Sequence, residues 1–173
     1  MKKKISIIII GFLIIFATSF TILNLVDTKK NHVQHLTKQQ ILNNYESYLK
    51  ENNLISDSLL LVRKTDEKEV YELTNDCYFV IGFSKNNVEK VYLYLKKGEK
   101  NESKYLEGMI YSINPNMQEK KRDEIMTRMM KNEKADELGI MADFKIGNYQ
   151  YLTLEKENGD AINYFIYYDD RKE

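Results

Sequence analysis

The longest unbroken run of apolar positions stands at the start of the chain. Ile5 to Val26 contains no charged residue. As a helix this run spans roughly 33 Å at about 1.5 Å per residue, close to the ~30 Å hydrocarbon thickness of a bilayer. A helix satisfies every backbone amide internally, which lipid demands. A buried core helix is a poor alternative for an apolar run that directly follows Lys2, Lys3 and Lys4. Residues 1–26 are therefore expected to be a membrane anchor. The rival is a cleaved signal peptide, with Lys2–Lys4 as its basic region, Ile5–Phe16 as its apolar stretch and Ala17-Thr18-Ser19 as a small-residue cleavage site. Apolar character resumes at Phe20 and continues through Ile22, Leu23, Leu25 and Val26, which a cleaved signal does not require. A retained anchor is preferred. No cysteine lies nearby to carry a lipid, and the processing Gly and following Glu of a pilin-type start are missing. The lysines favour a cytoplasmic N-terminus and an extracytoplasmic domain.

Residues 27–36 are polar and read as a juxtamembrane linker, leaving 37–173 as one domain. Thr37 is a good N-cap, with Gln40 placed to complete a capping box. Ile41, Leu42, Tyr45, Tyr48 and Leu49 then recur at helical spacing, predicting a helix over Lys38–Asn52 that Asn52-Asn53 ends. From Leu59 the period changes to two. Strands are predicted at Leu59–Lys64, Glu69–Leu73, Cys77–Phe83, Val88–Leu95 and Lys104–Ile113, with a hairpin turn at Lys85-Asn86-Asn87. In the fourth, Val91, Leu93 and Leu95 face the core while Tyr92 and Tyr94 face away.

The single proline, Pro115, marks a return to helix. Asn114 or Asn116 can cap it, with Glu119 in register for Asn116. The helix is predicted over Met117–Leu138, with Gly139 ending it. A last hairpin, Tyr149–Glu155 and Ala161–Tyr168, turns at Asn158-Gly159. Strands joined by short turns pair antiparallel, so the expected fold is α+β: an antiparallel sheet packed on two helices. Each helix precedes Tyr- and Phe-rich strands, a hint of two similar halves.

Charge narrows the function. Three of the 26 basic residues precede the apolar run and none of the 26 acids does, so the rest of the chain carries a formal net charge of −3. Such a domain lacks the clustered Lys and Arg that phosphates require, which argues against nucleic acid as a partner. One cysteine, Cys77, rules out an intrachain disulfide. Abundant Lys, Asn and Ile with no Trp suit the coding bias of an AT-rich bacterial genome.

Candidate chemistry is thin. His32 and His35 are the only histidines, and both precede the predicted domain. A Ser-His-Asp or Cys-His device, or a catalytic zinc site, would need histidine inside it. Metal sites also need three or four convergent ligands, so the pair reads as polar linker. Cys77 sits among Tyr78, Phe79, Val80 and Ile81, where burial makes a thiol inert. Met126, Met129 and Met130 at helical spacing read as core filling rather than as a copper site. Glu155–Asp160 lacks the alternating ligands of a calcium loop. Among many carboxylates Asp169-Asp170 is the densest pair, and nothing selects two as a catalytic acid and base. No phosphate-cradling, dinucleotide or nucleophile-elbow motif is present, and no cofactor is implied.

The 13 tyrosines are the distinctive feature. Tyr92, Tyr94, Tyr149, Tyr151, Tyr164, Tyr167 and Tyr168 lie on predicted strands, and of these Tyr92, Tyr94, Tyr149 and Tyr151 are the candidate members of an aromatic binding face, for which half-burial of Tyr on any sheet is the plain alternative. The expectation is a non-enzymatic, membrane-anchored binding, immunity or accessory domain of a bacterial envelope, whose partners are the membrane and an envelope protein or peptide. A carboxylate-dependent envelope enzyme and a secreted protein are its rivals.

Overall fold

A computed structural model describes residues 36–84, 87–131, 136–155 and 159–168. The anchor, the linker up to His35 (with His32), the turn residues Lys85, Asn86 and Asn158, and Asp169-Asp170 lie outside them. No helix among the described residues is long and apolar enough to cross a membrane.

The chain order is α1 (Lys38–Glu51), β1 (Leu60–Lys64), β2 (Lys68–Thr74), β3 (Cys77–Ser84), β4 (Asn87–Lys96), α2 (Glu102–Ile113), α3 (Glu119–Met129), β5 (Ile140–Ile146), β6 (Tyr149–Glu155) and β7 (Ala161–Tyr168). The strands form one seven-stranded sheet in the order β1-β2-β3-β4-β7-β6-β5. Every pairing is antiparallel. This is the expected α+β class. The four-stranded meander β1-β2-β3-β4 and the three-stranded meander β5-β6-β7 each follow helical structure and meet antiparallel at β4 and β7.

α1 forms as its sequence dictates. The Thr37 hydroxyl accepts from the Gln40 N–H at 3.3 Å, while Gln40 Oε1 accepts from the Thr37 N–H at 2.8 Å, closing the capping box. Asn52 caps the other end, and Asn53 takes a φ of 56° that turns the chain away. Ile41, Tyr45, Tyr48 and Leu49 are buried on the face turned inward.

Two expectations fail in the middle of the chain. Lys104–Ile113 is not a strand but the body of α2. Its buried side chains Tyr105, Leu106, Met109, Ile110 and Ile113 recur every three to four residues, a helical stripe that its Tyr and Ile content disguised. Gly108 lets this helix press against α1. A Cβ there would come within 2.7 Å of a Tyr48 ring carbon and 2.9 Å of one in Tyr45.

The second predicted helix is shorter than Met117–Leu138. α3 closes at Met130, Leu138 is exposed, and Ile140–Ile146 is an unpredicted edge strand, β5. Gly139 does reverse the chain, with φ +79, but its N–H donates to the Asp136 carbonyl in the turn that enters β5. A Cβ at Gly139 would lie 2.8 Å from the Glu155 carbonyl oxygen, so glycine alone fits beside β6. The helices therefore number three among the described residues, rather than two.

Strand alternation sends Cys77, Phe79 and Ile81, then Val91, Leu93 and Leu95, then Tyr164 and Ile166, and Tyr151, into one core with the three helices. Tyr45 stacks on Phe79 with ring centroids 4.0 Å apart. Polar ties hold the helices down at the margins. The buried Thr153 hydroxyl donates to the Met129 carbonyl at 3.0 Å, and the Tyr48 hydroxyl donates to Glu107 at 2.5 Å.

Candidate functional site: an aromatic sheet face

Because the core side chains occupy one face of the sheet, the alternate positions share the other. The registers align them into three rungs. The first runs Glu72, Tyr78, Tyr94, Asn163, Leu154; the second Val70, Val80, Tyr92, Phe165, Leu152, Asp143; the third Lys68, Gly82, Lys90, Tyr167, Gln150, Lys145. The three helices pack on the opposite side, so no helix among the described residues covers these rungs. A solvated sheet face normally alternates to polar side chains. Here the middle rung is apolar over five consecutive strands.

The rings on this face touch one another. Tyr92 stacks on Phe165 at 5.0 Å between centroids, and Phe165 stacks on Tyr167 at 5.7 Å with 12° between planes. Tyr78 meets Tyr94 at 6.1 Å. Val80, at the centre, is only 2% exposed although it points away from the helices. Gly82 leaves space for Lys90 to lie flat, since a Cβ there would be 2.8 Å from Lys90 Cγ. That lysine carries its ammonium 5.9 Å above the Tyr167 ring. Burial raises the Tyr92 hydroxyl above its ordinary pKa, and burial with nearby Glu89 does the same at Tyr167. Both stay neutral and able to donate a hydrogen bond at physiological pH.

At one end of the face a shallow cleft of about 340 Å³ opens between Tyr78, Tyr94, Asp76, Lys96 and Asp160. Asp76 occupies the β2–β3 turn with φ +63, and Lys96 ends β4, its ammonium 3.8 Å from the Asp76 carboxylate. Asp160, just before β7, is held alongside, where the Lys97 N–H donates to the Asp160 carbonyl at 2.9 Å.

The four tyrosines singled out from the sequence do not come together. Tyr92 and Tyr94 lie on the aromatic face, but Tyr149 and Tyr151 lie on the helix side. Tyr151 is fully buried, its ring stacked on Phe144 at 5.3 Å, and Tyr149 packs at the margin of the same core. The period of two fixes that Tyr149 and Tyr151 share a face, yet it leaves open which face. The face instead recruits Tyr78, Phe165 and Tyr167. Their outward phase becomes readable only once pairing across β3, β4 and β7 is known.

The remaining candidate groups have structural partners. Three carboxylates on the helix side each accept a tyrosine hydroxyl: Glu69 from Tyr71, Glu107 from Tyr48, and Glu102 from Tyr164. Glu69 is 3% exposed and also takes Lys38 and Lys64 at 3.1 Å each. Burial alone would raise its pKa, but these three donors outweigh that and hold it below the ordinary 4.5. Cys77 is buried, and burial pushes its thiol up, away from the reactive thiolate. Met129 is fully buried, with Met126 and Met130 packed against the core. No three His, Cys, Asp or Glu among the described residues stand close enough to hold a metal ion. Comparison with protein families, with curated proteins and with solved structures finds no match to this chain.

Proposed function

We propose that this chain is a membrane-tethered, non-enzymatic recognition domain of a bacterial cell envelope. Residues 1–26 hold it in the cytoplasmic membrane with the N-terminus inside. The domain from residue 37 onward stands outside, where it binds a protein or envelope component as an immunity, regulatory or accessory factor. One observation carries this reading: the apolar, ring-bearing rung from Val70 to Leu152 on the face opposite the helices. The rung is half-buried rather than fully open, with Val80 only 2% exposed at its centre; contiguous apolar surface with a polar rim is a mark of interaction sites, and Tyr is favoured there because it pairs a large apolar body with a polar tip. The engagement of buried Glu69 and part-buried Glu102 and Glu107 with tyrosine hydroxyls supports a structural use of these acids. A tether adds effective concentration near membrane partners.

The test compares the full-length wild type with Tyr92→Ala/Tyr94→Ala as bait in detergent extracts. Truncating two central rings costs about 2 kcal/mol or more of binding energy, roughly thirtyfold in affinity. The variant should lose a partner that the wild type retains, at equal expression and with unchanged circular dichroism. Equal recovery of that partner refutes the role of the face. Protease added to intact cells should digest the domain, and full protection would refute the outside location.

A further inference from the structure

The aromatic face is polarised along its strands. Beyond the Tyr78–Tyr94 pair lie Asp76 and Asp160, with Glu72 on the adjoining rung, while the opposite rung carries Lys68, Lys90 and Lys145. The two outer rungs are four residues apart on each strand, about 14 Å at roughly 3.4 Å per residue. An extended peptide has the same pitch, so its side chains at i, i+2 and i+4 fall on successive rungs when it lies along the strands.

We propose that the cleft between Tyr78, Tyr94, Asp76 and Asp160 takes the guanidinium of an arginine on an extended segment of the partner protein. An apolar side chain two residues along lies on Tyr92 and Phe165, and an acid two further meets the lysine rung. This rests on the recognition role proposed above and names the chemistry of the partner. The two rings offer π faces to a cation, and the two carboxylates offer acceptors for its planar fork. Lys96 now sits 3.8 Å from Asp76, but the two side chains are 65% and 70% exposed. Such a pair contributes little, and an incoming guanidinium displaces the ammonium at small cost. Arginine fits better than lysine because it stacks on a ring and hydrogen-bonds in its own plane at once.

The experiment uses two synthetic peptides, acetyl-Arg-Ala-Trp-Ala-Glu-amide and its Gln-for-Arg analogue, titrated with the full-length chain. The chain has no Trp, so the indole of the probe reports binding against a silent background. One exposed cation–π contact and one exposed ion pair together predict about a tenfold preference for the Arg probe. Asp76→Asn/Asp160→Asn keeps side-chain size, and Asn tolerates the φ of +63 at position 76. In that variant the two probes should bind within twofold of each other, while Tyr92→Ala should weaken both. Equal binding of the two probes to the wild type, a preference that survives the double Asn variant, or no binding of either overturns the assignment of the cleft. If the probes bind equally and Tyr92→Ala still weakens them, the aromatic face stands and only the arginine falls. A wild type that dimerises at the titration concentrations, with Tyr92→Ala monomeric, assigns the face to a second copy and likewise overturns the proposal.

Discussion

Gly108→Ala tests the helix-side packing at its tightest point. In an isolated helix the change would help, since Ala stabilises a helix interior by about 1 kcal/mol over Gly. At this position the new methyl would stand 2.7 Å from Tyr48 Cδ1, and 2.9 and 3.2 Å from two carbons of the Tyr45 ring. Neither ring has room to yield. Tyr45 is fully buried and stacked on Phe79 at 4.0 Å, and Tyr48 is 7% exposed with its hydroxyl held by Glu107 at 2.5 Å. Overpacking of this kind costs about 1–3 kcal/mol. Set against the helical gain, the net is a loss of about 1 kcal/mol, and more for Gly108→Val, which adds bulk and a β-branched side chain. Urea titration of the full-length chain, followed by far-UV circular dichroism, measures this directly. The midpoint should fall for Ala and further for Val, at unchanged slope. An Ala variant as stable as the wild type, or more so, would mean that α1 and α2 do not meet at Gly108.

Two further outcomes follow from the polar ties. Glu69 has a folded-state pKa below its ordinary 4.5, so its contribution to stability is fully present above that value and is lost as pH falls through the folded pKa. Glu69→Gln should therefore cost about 1–3 kcal/mol near neutral pH and progressively less in acid; a pH-independent difference between the two unfolding midpoints would refute the network with Tyr71, Lys38 and Lys64. Thr153→Val removes the hydroxyl that reaches the Met129 carbonyl at 3.0 Å, and with it this buried hydrogen bond. A loss of about 1–2 kcal/mol is expected, and hydrogen exchange should show the C-terminal turn of α3 opening faster while α1 is unaffected.

Local rules were sufficient wherever one element states its own chemistry. The Thr37/Gln40 box, the helical stripe of Ile41, Tyr45, Tyr48 and Leu49, and the alternation of Val91, Leu93 and Leu95 each lie within a few consecutive residues. Each therefore reads correctly from sequence. Lys104–Ile113 did not, because its Tyr and Ile content favours strand while its burial follows a helix; contact with α1 through Gly108 selects the helix. β5 did carry a local signal, since Ile140, Ala142, Phe144 and Ile146 alternate with Asp143 and Lys145 at the period of a half-buried strand; extending the preceding helix as far as Leu138 hid it.

The α+β class, the antiparallel pairing, most element boundaries and the outward phase of Tyr92 and Tyr94 are legible in the order of residues along the chain. Those properties depend on periodicity and capping, which are local. Packing across the whole domain settles which face of the sheet Tyr149 and Tyr151 join. It also placed Tyr78 beside Tyr94 and set Phe165 against Tyr92, since strand register is fixed by side chains far apart in the chain. The helices had to choose one side before the other could be left bearing rings, and that choice is made by the packing of the core as a whole.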